Sequence, residues 1–182
     1  MELDGLLQFV PLGSPLSLVV GPLGAGGGVA SNIIDLAGAG VGNAPPNIIG
    51  NRSVFGTDLG IGRQKTQLLC TTGTAFATAN NAAINIQFQG AVDSGVGGGY
   101  QPGTWITLVE TGYITAANLG AGKTVARFDY PPSFPFGPLP RFLRLFFQLL
   151  TNTNFTAGTI AFAMPTTVRD DVNFGARNYN LA

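Results

Sequence analysis

Histidine does not occur among the 182 residues. General acid–base chemistry recruits it more than any other side chain, so serine–histidine and cysteine–histidine devices are excluded, and zinc and most transition-metal sites lose their commonest ligand. Charge is the next scarcity: Asp, Glu, Lys and Arg make up 10% of the chain, against roughly 25% in an average soluble domain. Nine basic and nine acidic residues cancel. Basic residues gather no further than the pairs Arg63 with Lys65 and Arg141 with Arg144, so the electrostatic footprint of a nucleic-acid binder is missing. A surface of neutral polar groups suits a protein docked in an assembly.

Cysteine is nearly absent as well. Cys70 stands alone, cannot form an internal disulfide, and reads as a small buried hydrophobe on a strand. The N-terminal Met1-Glu2-Leu3-Asp4 is acidic where a secretory signal needs a basic region, so a protein made and used without secretion is expected. The uncharged stretch between Asp4 and Asp35 suggests a membrane span, but Pro11, Pro15 and Pro22 with Gly13, Gly21, Gly24, Gly26, Gly27 and Gly28 interrupt it, and no continuous transmembrane helix is expected.

What is present falls into three parts. Residues 1–55 carry short apolar knots between Gly and Pro: Leu6 and Leu7, Leu16 and Leu18, Ile33 and Ile34, Ile48 and Ile49. They read as an extended Gly/Pro-rich arm holding one or two short strands. An arm this rich in glycine loses much entropy on ordering and cannot bury its own knots; they need another surface, either the arm's own domain or a neighbouring molecule. Residues 56–168 show short strand-like runs between turn signals, the pattern of a β-sandwich or barrel, and residues 169–182 form a polar tail.

Within the sandwich, Ile84, Ile86 and Phe88 alternate with Asn85, Gln87 and Gln89, a period of two with one buried face. Residues 105–110 and 123–128 are rich in β-branched and aromatic types, with Gly112, Gly120 and Gly122 between them. In the 159–164 run Ile160, Phe162 and Met164 share one face and Ala161 and Ala163 the other, and Pro165 is expected to end the strand. The segment 141–150 fits a helical stripe as well as a strand. A strand is favoured, because residues 151–158 form a polar turn leading into 159–164, which suggests a hairpin. As a strand it places Leu143, Leu145, Phe147 and Leu149 in the core and Phe142, Phe146 and Leu150 outward beside Arg144 and Gln148, a half-apolar outer face that implies a second covered surface.

Chemistry-bearing patterns fail one by one. Gly122-Lys123-Thr124 matches the end of a phosphate-binding P-loop, but Ala117 stands where that loop needs glycine, and a strand-like run follows instead of a helix. Asp170-Asp171 is the one adjacent carboxylate pair and reads as a solvated turn, while Asp58, Asp93, Glu110 and Asp129 nominate no catalytic pair. No cofactor, no metal and no enzymatic activity are expected. Tyr100, Trp105 and Tyr113 near glycine-rich loops leave open a binding module for host-surface carbohydrate.

Six segments, in order and spacing, resemble a known family: Ser31-Asn-Ile-Ile-Asp-Leu36, Asp58-Leu-Gly-Ile-Gly62, Thr74-Ala-Phe76, Ile114-Thr-Ala-Ala-Asn-Leu-Gly-Ala-Gly-Lys123, Arg141-Phe-Leu-Arg-Leu145 and Phe155-Thr-Ala-Gly158. The chain resembles the jelly-roll cement proteins that decorate the heads of short-tailed phages, related to that of Bordetella phage. The resemblance spans most of the chain and departs at residues 37–56, which look like an insertion, and in the tail. It implies a jelly roll on the outer surface of the capsid that binds the major capsid protein and forms a homo-oligomer (dimer or trimer); from the charge balance and the broken apolar stretch, neither nucleic acid nor membrane is expected as a partner. Under this reading the knots at Leu6, Leu7, Leu16, Leu18, Ile33, Ile34, Ile48 and Ile49 are the partner contacts, and a chain lacking residues 1–50 is expected to fold but not to stabilise heads.

Overall fold

Alternation becomes strand throughout the computed structural model, which describes residues 8–36, 66–95, 101–130 and 140–167. In chain order the strands are β1 Leu16–Ser17, β2 Gly28–Ala30, β3 Ile34–Asp35, β4 Thr66–Thr72, β5 Ala77–Thr78, β6 Ala83–Asp93, β7 Pro102–Thr115, β8 Thr124–Tyr130, β9 Phe142–Leu149, β10 Phe155–Ala157 and β11 Thr159–Thr167. A single 3-10 turn, Ala116–Asn118, is the one helical element among the described residues.

Two antiparallel sheets carry the fold. One runs β1-β11-β4-β8 and the other β2-β9-β6-β7, with β3 continuing the β2 edge along β9; β5 and β10 pair separately. If β2 and β3 are taken as one interrupted strand and the separate β5–β10 pair is left out, eight strands remain, paired first with last, second with seventh, third with sixth and fourth with fifth. That is a hairpin rolled up on itself, the strand order of a jelly roll. The chain is an all-β jelly-roll sandwich.

The core lies between the sheets. Ile84, Ile86 and Phe88 of β6 and Leu143, Leu145, Phe147 and Leu149 of β9 all point into it and are buried, so 141–150 is a strand with the faces its alternation implied. Phe88 joins the two ends of the core, meeting Phe9 edge-on with ring centroids at 5.6 Å and stacking with Phe128 at 6.3 Å. Cys70 on β4 is fully buried opposite Ala126 and Ala163, and burial pushes its thiol up to about 12.

Four expectations are corrected. First, residues 8–36 do not stand apart as an arm: Phe9, Val10, Leu18 and Ile34 are buried in the common core, and β1, β2 and β3 extend both sheets. Short apolar knots between glycines are enough when each needs only one sheet edge to lie against. At Gly28 a side chain on β2 would collide with the backbone of Phe147 and Gln148 and the Phe146 ring, so the glycine is what lets β2 approach β9.

Second, β9 and β11 do not form a hairpin, because they belong to opposite sheets. Residues 151–158 carry the chain across the end of the sandwich. Asn152 takes a left-handed φ of 59°, Phe155 is buried against Phe76 with centroids at 4.9 Å, and Gly158 at φ 136° lies where any side chain would strike the Phe76 ring.

Third, the β11 alternation breaks at a bulge between Ile160 and Phe162, which turns Ala163 into the core and leaves Phe162 half-buried. Fourth, Pro165 sits inside β11, opposite Leu68, instead of ending it. Ala163 donates its N–H to Val10, so the nitrogen two residues on faces the same side, beyond the Val10 bridge. A missing N–H there breaks no ladder bond.

Candidate functional site

The outer face of the β2-β9-β6-β7 sheet holds the most organised group of polar and aromatic side chains among the described residues. Register sets it row by row. β6 places Ala91, Gln89, Gln87 and Asn85 between Phe142, Arg144, Phe146 and Gln148 of β9 and Trp105, Thr107, Glu110 and Tyr113 of β7. Asn85 and Gln89 are buried although they face away from the core. Such groups must find partners locally, because an unpaired buried amide costs about 1–3 kcal/mol.

They do so as a directed chain. Glu110 Oε2 accepts from Asn85 Nδ2 at 2.7 Å and Gln87 Nε2 at 3.2 Å. Gln87 Oε1 accepts from Gln89 Nε2 at 2.8 Å, and Gln89 Oε1 accepts from Arg144 Nε at 2.8 Å. Each glutamine thus turns its nitrogen towards the carboxylate and its oxygen towards the guanidinium. Gln148 Oε1 accepts from Gln87 at 3.0 Å and Thr107 donates to Gln87 Oε1 at 3.3 Å, which locks the middle amide. An anion and a cation are joined through two polarised amides, an arrangement in which each bond strengthens the next. Asn85 Oδ1 is the one buried side-chain polar atom without a partner among the described residues.

Arg144 is held by rings as well. Its guanidinium carbon lies 4.1 Å from the Trp105 ring centroid and 5.0 Å from that of Phe146, and burial draws its pKa below the usual arginine value. Beside it, Arg141 closes the end of the sheet differently. Its Nε and Nη2 donate to the two Asp35 oxygens, both at 2.8 Å, and Nη1 donates to Asp93 Oδ2 at 3.1 Å. This clamp ties β3, the end of β6 and the start of β9 together, and its guanidinium also covers Phe142, 5.2 Å from the ring centroid, which is why that outward phenylalanine is buried.

No protein-family model matches the chain, and no curated protein matches it.

The side chains named in the sequence reading are placed as follows. Leu18 and Ile34 are buried in the chain's own core, so their assignment as partner contacts is corrected; Leu16 is half-buried beside β11, and Ile33 is 49% exposed. Leu6, Leu7, Ile48 and Ile49 lie outside the described residues, as do Tyr100, Asp58, the Asp170-Asp171 pair, the 37–56 insertion and the tail. Trp105 has a ring face covered by Arg144, and Tyr113 is 49% exposed at the other end of the platform.

The P-loop-like segment is the turn before β8. Thr72 of β4 receives its N–H groups: Gly122 N donates to the Thr72 carbonyl at 3.1 Å and Lys123 N to Thr72 Oγ1 at 2.9 Å. Those donors are the ones a phosphate cradle would need. Among the described residues no group of three or more His, Cys, Asp or Glu is placed to hold a metal ion, and no helix is long and apolar enough to cross a membrane.

The platform was half legible. Alternation marks Asn85, Gln87, Gln89, Arg144 and Gln148 as outward, but nothing in the sequence says that Gln89 lies opposite Arg144, since strand register over 55 positions has no local signal.

Proposed function

We propose that this chain is a structural protein of a virus particle, one that decorates and cements the outer surface of a tailed-phage capsid by binding major capsid protein subunits, as a homo-oligomer. The observation that carries the reading is the jelly-roll pairing of strands, which is the fold implied by the resemblance of the six sequence segments. A scarcity of charge and a sheet whose outer face carries Phe142, Phe146, Trp105 and Tyr113 agree with a molecule that works against another surface.

Of the contacts first assigned, Leu18 and Ile34 are buried and Ile33 is exposed. On the described part of the N-terminal region the free apolar side chains are Leu12, Val19 and Ile33, exposed by 64%, 48% and 49%. Burying them on a capsid subunit yields about 25 cal/mol per Å² before ordering costs. Copies repeated over a symmetric shell turn that modest gain into a clamp.

The test is cosedimentation of the purified protein with expanded empty heads that lack a decoration protein. Saturable binding that raises the heat resistance of the heads supports the reading. A folded protein that does not bind them refutes it. A chain carrying Leu12→Asp, Val19→Asp and Ile33→Asp is expected to stay folded and lose head binding. The carbohydrate reading has less behind it, since Arg144 covers a Trp105 face; specific binding on a glycan array would favour it instead.

A further inference from the structure

The two arginines of β9 and its approach meet opposite fates. Arg141 is engaged by two carboxylates. Arg144 has a single hydrogen-bond partner among the described residues, the Gln89 amide oxygen at its Nε. A guanidinium has five N–H donors, so the four on Nη1 and Nη2 have no acceptor among the described residues. The group is nevertheless held from several sides. The Trp105 and Phe146 rings lie against it, Gln89 accepts from its Nε, and Gln87 with Glu110 holds Gln89. An arginine held in this way loses less side-chain freedom when a ligand binds.

We infer that Arg144 is a carboxylate-binding site: a fork preset by two rings and a glutamine, which receives an Asp or Glu side chain from a protein docked on the outer face of the β2-β9-β6-β7 sheet. A planar carboxylate offers two oxygens to the two Nη groups in a bidentate pair. A phosphate diester backbone fits poorly. Nucleic-acid binding needs several cations along a track, whereas Arg144 is the one cation in the rows of this face, and Glu110 shares it. The inference does not depend on the capsid reading, because it concerns the chemistry that the face accepts and not the identity of what carries it.

Trp105 is the only tryptophan, so the site has its own reporter. In the nitrogen-15-labelled full chain, the Trp105 indole N–H and the Arg144 Nε–H resonances are followed while sodium acetate is added, with sodium chloride at equal ionic strength as reference. Both resonances are expected to shift saturably with acetate. The Trp105 shift is expected to vanish in Arg144→Gln and to fall severalfold in Arg144→Lys, which keeps the charge and loses the fork. Acetate shifts equal to those of chloride, or an unchanged titration in Arg144→Gln, would overturn the site. Tighter binding of dimethyl phosphate than of acetate would overturn the choice of carboxylate. The source is tested with the capped peptide acetyl-Gly-Glu-Gly-amide: saturation comparable to acetate supports a protein side chain, and no saturation overturns docking in favour of a small free acid.

Discussion

Removing residues 1–50 separates a detachable arm from a built-in one. Leu18 has no exposed surface, and its N–H donates to Gly158 at 3.2 Å. Leu18→Ala therefore leaves a cavity in the common core, at a cost of about 3 kcal/mol. With a urea slope of roughly 1–3 kcal/mol per M, the unfolding midpoint falls by about 1–3 M. The full deletion removes Phe9, Val10, Leu18 and Ile34 together, all buried. At roughly 1.5–3 kcal/mol each they contribute about 6–12 kcal/mol, comparable with the entire stability of a typical domain. The deletion also strips β9 of an edge, where Ser31 N donates to Leu145 and Leu149 N to Gly27. The truncated chain is expected not to fold. Urea titration followed by far-ultraviolet circular dichroism and Trp105 fluorescence measures both cases, with Leu12→Ala, at an exposed position, as the neutral control. A deletion mutant with a cooperative transition at the wild-type midpoint, or a Leu18→Ala curve that overlays Leu12→Ala, would show the reasoning to be wrong.

Gly158→Ala is expected to cost about 3 kcal/mol, since a positive φ and the Phe76 ring both oppose a side chain there; a thermal melt within a degree of wild type contradicts this. Arg141→Met should lower stability by about 2 kcal/mol by leaving Asp35 and Asp93 without their shared cation, clearly more than the exposed control Arg127→Met, as chemical denaturation will measure. The Cys70 thiol should resist Ellman's reagent in the native protein at pH 8 and react at once in urea. Its pKa is raised on folding from 9.0 to about 12, so the unfolded chain loses the proton first. Its stabilising contribution is complete below pH 9.0 and declines by about 1.4 kcal/mol per pH unit between 9.0 and 12; Cys70→Ala, tested by urea titration across that range, should remove this part of the alkaline decline.

Local alternation was enough to mark the faces of β6 and β9, because a strand buried on one side shows its period in any six residues. It failed where the backbone leaves that period. The bulge before Phe162 moves Ala163 inward, and no residue type announces it. Pro165 looked like a terminator, because whether its missing N–H matters depends on where the Val10 bridge lies across the sheet. The crossing at residues 151–158 resembled a hairpin loop, since a polar turn looks the same whether the next strand returns to its own sheet or enters the other. The N-terminal region looked detachable for a similar reason: Leu18 and Ile34 find partners more than a hundred positions away, at Gly158 and Leu143. For the platform, composition supplied the parts and only tertiary register supplied the relay.

The pairing of the first strand with the last described one also bears on how the molecule is made. Leu16 is synthesised 144 residues before its partner Ile160, so the sheet that contains β1 cannot close until nearly the whole described chain has been synthesised. Contacts of that sequence separation make folding slow, and until they form β1 has no sheet edge to lie against. The strand that waits longest is an edge strand, joined to β11 through Leu16 and Ser17. A protein built this way closes its first sheet late.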